Sequence, residues 1–281
     1  MLGIAQRIKI IKNASDMIEF RSKNTQVEIA NKAVIGSNVI VGENCKNFSI
    51  GYGSFIGNDC YIDVPEFSIG DYTTIHNHAT VHGYKNFSIG HNCWIGQFCI
   101  MDSIGGTTIG NNVGIGAHSQ LWSHIKFGDS LEGCVWNNQK ELIIEDDVWF
   151  VGHCIVSPIL ARKKSMLLVG GVITKDMAEN RVYAGSPAKD ITNKVGYQFI
   201  EKPTKKKIDE FHSLYLSFIE MKGITKDKYR ATCVETLAGK ISTKIETFFD
   251  ITNRRYLPAR SKYEYEFIKY MLYDKAKFLP V

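Results

Sequence analysis

Aliphatic residues recur at every sixth position through the middle of this chain. Ile50, Ile56 and Ile62 are followed by Ile69, Ile75 and Val81, then by Ile89, Ile95 and Met101, then by Ile109, Ile115 and Leu121. A longer period lies over this short one. Phe48, Phe67 and Phe87 each begin a Phe-Ser-Ile-Gly phrase and Thr107 begins a Thr-Thr-Ile-Gly variant, at intervals of 19 or 20 residues. Three six-residue units therefore make one turn of about 18 residues with a small remainder, the mark of a repeat architecture. An amphipathic helix needs an apolar stripe repeating every ~3.6 residues, which a strict spacing of six does not supply. The pattern predicts short strands joined by sharp corners, each turn burying its apolar side by stacking on the next.

Four positions after each aliphatic residue stands a small one: Ser54, Cys60, Thr73, Ala79, Cys93, Cys99, Val113 and Ser119, then Val148 and Cys154. Large and small inward positions in alternation fit a narrow triangular prism. Gly51 and Gly70, directly after their isoleucines, allow a corner too tight for a side chain. Of seven cysteines, Cys45, Cys60, Cys93, Cys99 and Cys154 fill the small slot, and none forms a Cys-x-x-Cys pair. They read as buried thiols of a reducing compartment, not as disulfides or zinc ligands. Cys134 and Cys233 stand outside the pattern.

The period divides the chain. Residues 1–33 are expected to be a lead-in capping the open end of the prism, because a terminal turn otherwise exposes its core. Residues 34–194 carry the repeat, interrupted after Leu121 until Ile144 by a loop at 125–143, too long for a simple corner and so a functional candidate. Residues 195–281 show helical periodicity rich in Tyr, Phe and Lys, and are expected to form a helical extension.

Composition narrows the partners. The chain has 44% hydrophobic and 22% charged residues and a net charge of +5, part of it from the Lys-rich stretch 202–207. Without interleaved aromatics this stretch reads as a solvated helix start, so no nucleic-acid partner is expected. No apolar run has the length of a signal peptide or a membrane span, so a cytoplasmic protein is expected, with at most peripheral association with a lipid-linked glycan.

The second half of the repeat carries a family resemblance. The blocks at 143–158, 168–176 and 182–191, read in order, resemble those of the hexapeptide-repeat acyltransferases, and of sugar acetyltransferases in particular. The resemblance implies an all-β repeat fold, a left-handed parallel β-helix, although parallel crossovers are usually right-handed. It further implies acetyl-CoA as acetyl donor, a homotrimer, and transfer to a sugar hydroxyl of a bacterial surface glycan such as a capsule, lipopolysaccharide or sialylated oligosaccharide. Acetylation of an amino sugar nucleotide and a non-catalytic scaffold are the alternatives.

Acetyl transfer to a hydroxyl needs a base, and a neutral imidazole suits that near pH 7. In the resembled enzymes the catalytic histidine opens a loop ahead of a Val-Trp block, which gives the role to His124; His118 is the rival. Stacking of successive turns places Asp63, His82, Asp102 and Trp122 in one column ending beside His124. His82, Asp102 and Trp122 are therefore candidate acceptor contacts, with orientation of the imidazole an open alternative for Asp102. The loop carboxylates Asp129, Glu132 and Glu141 are further candidates for polarising His124. Gln97 stands nearest the place where sugar-acetylating relatives carry an acceptor-binding Asn. By resemblance, Trp149, Gly152, Gly170, Gly171, Thr174 and Lys175 line the coenzyme path and Lys189 approaches its phosphates, a role matched by its charge. The basic corner Arg162, Lys163 and Lys164 can meet those phosphates or face water. No metal is expected, since His76, His78 and His82 lack an acidic or Cys partner at ligand spacing.

Overall fold

The computed structural model describes residues 18–281. Two compact units divide these residues, 18–199 and 200–281. The first is a parallel β-helix whose short strands stack into three sheets. A first face of eight strands runs from Ile18–Phe20 to Val172–Ile173. A second face of seven runs from Gln26–Ile29 to Leu160–Ala161, and a third of nine runs from Val34–Ile35 to a terminal hairpin, Val182–Gly185 with Ala188–Asp190.

The six-residue period is the reason for this shape. Ile50, Ile69, Ile89, Ile109 and Ile144 are direct register partners along the second face. The first four are no more than 3% exposed, as the spacing predicts. Burying each isoleucine is worth about 1.5–3 kcal/mol. Phe48, Phe67 and Phe87 stack beside them at 5.2 and 5.8 Å between ring centroids. Cys45, Cys60, Cys93, Cys99 and Cys154 are buried in the small slots, and all seven cysteines are free thiols. At the corners a Cβ on Gly51 would run into the Gly70 backbone. Side chains one turn ahead satisfy other corner amides: Asp71 accepts from Tyr52 N, and Asn111 from His91 N.

The start of the prism differs from the sequence expectation: it does not begin at Val34, because Ile18–Phe20 and Gln26–Ile29 already pair with Val39–Val41 and Asn47–Ile50. These strands belong to the prism although their hexad is weak. The rest of the expected cap, residues 1–17, lies outside the described residues.

The extension is not simply helical. Helices Thr204–Lys222 and Lys262–Met271 are present, but so is a four-stranded sheet in the order Arg230–Val234, Glu246–Asp250, Arg255–Tyr256, Leu279–Pro280. Phe211, Phe218, Phe249 and Phe267 form its aromatic core. Glu264 is buried there and accepts from Ala259 N, Arg260 N and Thr247 Oγ1, while burial pushes its carboxyl up. Among the described residues no helix is long and apolar enough to cross a membrane.

Candidate active site

The long loop leaves the corner between the first and second faces, one turn after Asp102. Its base is an antiparallel pair, His124–Lys126 with Asn137–Gln139. Lys140 N donates to Ser123 O at 3.1 Å, and the chain re-enters the second face at Leu142, which pairs with Thr107. The parallel ladder therefore passes under the loop without a break.

This closure sets His124 against Asp102, with Nδ1 and Oδ2 2.9 Å apart. A carboxylate only accepts, so the shared hydrogen sits on Nδ1 and the neutral ring carries its lone pair on Nε2. The His124 side chain keeps 20% exposure, while that of Asp102 has none. The same Oδ2 accepts from the amide of Ser123 at 2.9 Å and from its hydroxyl, and Oδ1 accepts from Ile104 N at 3.4 Å. Ser123 Oγ in turn accepts from Gly105 N at 2.8 Å. Several donors on one buried carboxylate fix its orientation.

The expected column is present in part. Asp63, His82 and Asp102 are register partners, and His82 Nδ1 lies 3.9 Å from Asp102 Oδ1. The Trp122 ring meets His124 edge to face, 6.1 Å between centroids. Asp102 is fully buried and meets the His124 ring, not solvent. Two of the three loop carboxylates are engaged elsewhere: Asp129 accepts from Leu131 N, and Glu141 from Thr108 Oγ1. Ser123 was not singled out from sequence, although its place beside His124 and over Asp102 follows from the stacking rule.

Gln97 is not brought to His124. It is exposed at the opposite edge of the first face, in the corner between Trp94–Ile95 and Ile100–Asp102, because its turn breaks one strand earlier than the column of Asp102. Gly152, Gly170 and Gly171 share that edge, and exposed Trp149 lies on the adjoining third face. Thr174 and Lys175 are exposed on the His124 edge, just past Val172–Ile173, and Lys189 is exposed in the terminal hairpin. His118 is exposed on the Gln97 edge, stacked between Phe98 and His153, with no carboxylate contact like that of His124. Among the described residues no group of three or more His, Cys, Asp or Glu could hold a metal ion.

No protein-family model matches the chain, and no curated protein is similar to it. Solved structures are. A hexapeptide-repeat acetyltransferase of Vibrio cholerae O1 biovar eltor, complexed with acetyl coenzyme A, is 19% identical over 50% of this chain and 68% of its own, with a TM-score of 0.34. A UDP-N-acetylglucosamine acyltransferase of Campylobacter jejuni is 14% identical over 72% of this chain and 83% of its own, with a TM-score of 0.44. A maltose O-acetyltransferase of Clostridium difficile 630 is 19% identical over 61% of this chain and 68% of its own, with a TM-score of 0.32.

Proposed function

We propose that the protein is an O-acetyltransferase that moves acetyl from acetyl-CoA to a sugar hydroxyl of a surface glycan in the cytoplasm, with His124 as general base. The observation that carries this reading is the His124 Nδ1 to Asp102 Oδ2 contact, 2.9 Å long and anchored on a carboxylate with no exposure. It leaves Nε2 as the basic nitrogen on the loop side.

In the proposed reaction Nε2 takes the proton of the acceptor hydroxyl as its oxygen bonds to the thioester carbonyl carbon. The imidazolium so formed is stabilised by the Asp102 carboxylate at Nδ1. Collapse of the tetrahedral species breaks the carbon–sulfur bond, and the departing thiolate takes the proton from Nε2. The acetylated sugar and the free coenzyme thiol are the products.

The acting unit is a homotrimer in this reading. His124 stands on one edge of the first face, and Trp149, Gly152, Gly170 and Gly171 lie at or near the other. A second copy laid alongside brings its far edge to the histidine and turns flat faces into the concave groove that a coenzyme needs. Thr174, Lys175 and Lys189 then serve the coenzyme, and His82 and Trp122 the acceptor.

The test is to supply purified protein with acetyl-CoA and a panel of neutral and acidic oligosaccharides. Thiol release together with an alkali-labile gain of one acetyl group supports the reading. An alkali-stable product turns it to amide formation, and no release with any acceptor overturns it.

A further inference from the structure

The corner at the Gln97 edge holds a run of residues in left-handed backbone: His78 (φ 60°), Phe98 (58°), His118 (60°) and His153 (51°). Each amide donates one turn back, from Phe98 N to Asn77 O at 3.1 Å, from His118 N to Gln97 O at 2.9 Å and from His153 N to Ala117 O at 2.9 Å. The side chains therefore leave the corner in one line. Their rings stack face to face, with centroids 4.6, 5.0 and 4.8 Å apart and planes within 17°. All four residues are exposed. At the start of the line, His78 Nδ1 faces Asp59 Oδ2 at 3.9 Å.

The other end is different. The next position is Gly170, with φ 71° and its amide donating to Gly152 O at 3.0 Å in the same register. A Cβ built there would meet nothing within 4 Å. Among the described residues, no ring covers the second face of His153. Trp149, Ile155 and Val169, all near in the chain, are 45%, 40% and 67% exposed.

We infer that His153 is a stacking seat for the purine ring of the acyl donor, with Gly170 keeping the seat clear. A ladder of parallel rings presents its last π-face at the next turn, and a flat heteroaromatic ring continues it. In the proposed trimer this edge lines the groove leading to a neighbour's His124, and Gly170 stands two turns beyond His124 along the prism, through Gln120–Leu121, Ile155–Val156 and Val172–Ile173, so a ligand group seated here belongs to the donor at a distance from its thioester. This rests on the acyl-CoA reading of the site and adds to it the residues that hold the nucleotide base.

His153→Ala removes the seat, and His153→Phe keeps a flat ring in it. Each variant is assayed with acetyl-CoA and with acetyl-pantetheine, which has the same thioester and no nucleotide. The expected result is a KM for acetyl-CoA raised roughly 5- to 20-fold in His153→Ala, in line with loss of one base stack, and near wild type in His153→Phe, with kcat and all acetyl-pantetheine kinetics unchanged in both. An unchanged KM in His153→Ala, an equal rise in His153→Phe, or an equal rise with acetyl-pantetheine overturns the inference. Wild-type protein releasing thiol from neither donor overturns the acyltransferase reading, and the inference with it.

Discussion

Ser123 holds Asp102 from two sides, its amide and its hydroxyl both donating to Oδ2, while the same hydroxyl accepts from Gly105 N. Asp102 is thereby fixed before His124 touches it. The imidazole meets a carboxylate whose position is set by the backbone of two successive turns, which holds the ring of a loop residue in one orientation.

His124→Ala is expected to lower kcat by about 100-fold or more, since a general base acts chiefly in the transition state. Coenzyme affinity measured by titration calorimetry stays near wild type. Near-normal turnover would move the role elsewhere, with His118 first in line.

Asp102→Asn replaces an acceptor with a group that can also donate to Nδ1, so the imidazole proton shifts to Nε2 and the basic nitrogen is lost. A fall in kcat of about 100-fold or more is expected, in keeping with the effect of a wrong tautomer. Nitrogen NMR of the ring, showing the proton on Nε2, separates this from general damage to the fold.

Burial holds the thiols of Cys45 and Cys99 up at about 11, against an ordinary 9.0. The unfolded chain releases these protons near pH 9, whereas the folded chain keeps them to about 11. The stabilisation is thus full below the lower value and is lost as pH rises through the upper one. Urea midpoints should fall as pH rises from 9.0 to about 11, and those of Cys99→Ala should fall less steeply. An equal slope in the variant would remove Cys99 from the account.

Ile89→Ala empties one layer of the inward column and is expected to cost about 2–5 kcal/mol. Chemical denaturation followed by circular dichroism reads it. A loss below about 1 kcal/mol would mean that the neighbouring turns close over the gap.

If the coenzyme groove lies between prisms, activity and assembly are inseparable. Sedimentation velocity at assay concentration is expected to show a trimer. A fully active monomer would refute the shared groove.

The prism was legible because its period is local: each isoleucine announces its turn, and the Ile50, Ile69, Ile89 and Ile109 column follows from counting. That His124 stands beside the column of Asp102 was legible from counting turns. The burial of Asp102 was not, because spacing gives the turn and the corner but not the depth of a side chain, and Asp102 is sunk beneath Ser123. The early strands escaped notice because Glu19 and Glu28 stand where the strand pattern was being sought. In the extension, helical runs at both ends drew the reading past Arg230–Val234 and Glu246–Asp250, whose pairing joins distant segments and has no internal repeat to disclose it.

The spine beneath the loop is continuous, with Thr107 to Ile109 running directly onto Leu142 to Ile144. His124 and Ser123 sit at the mouth of the insertion, while Phe127 and Trp136, 102% and 70% exposed, sit in its body. The residues of the proposed chemistry therefore lie outside the body of the loop. On that reading the body is an exchangeable cassette: a graft between Lys126 and Asn137 is expected to change which acceptor is used and to leave His124 and Asp102 in place.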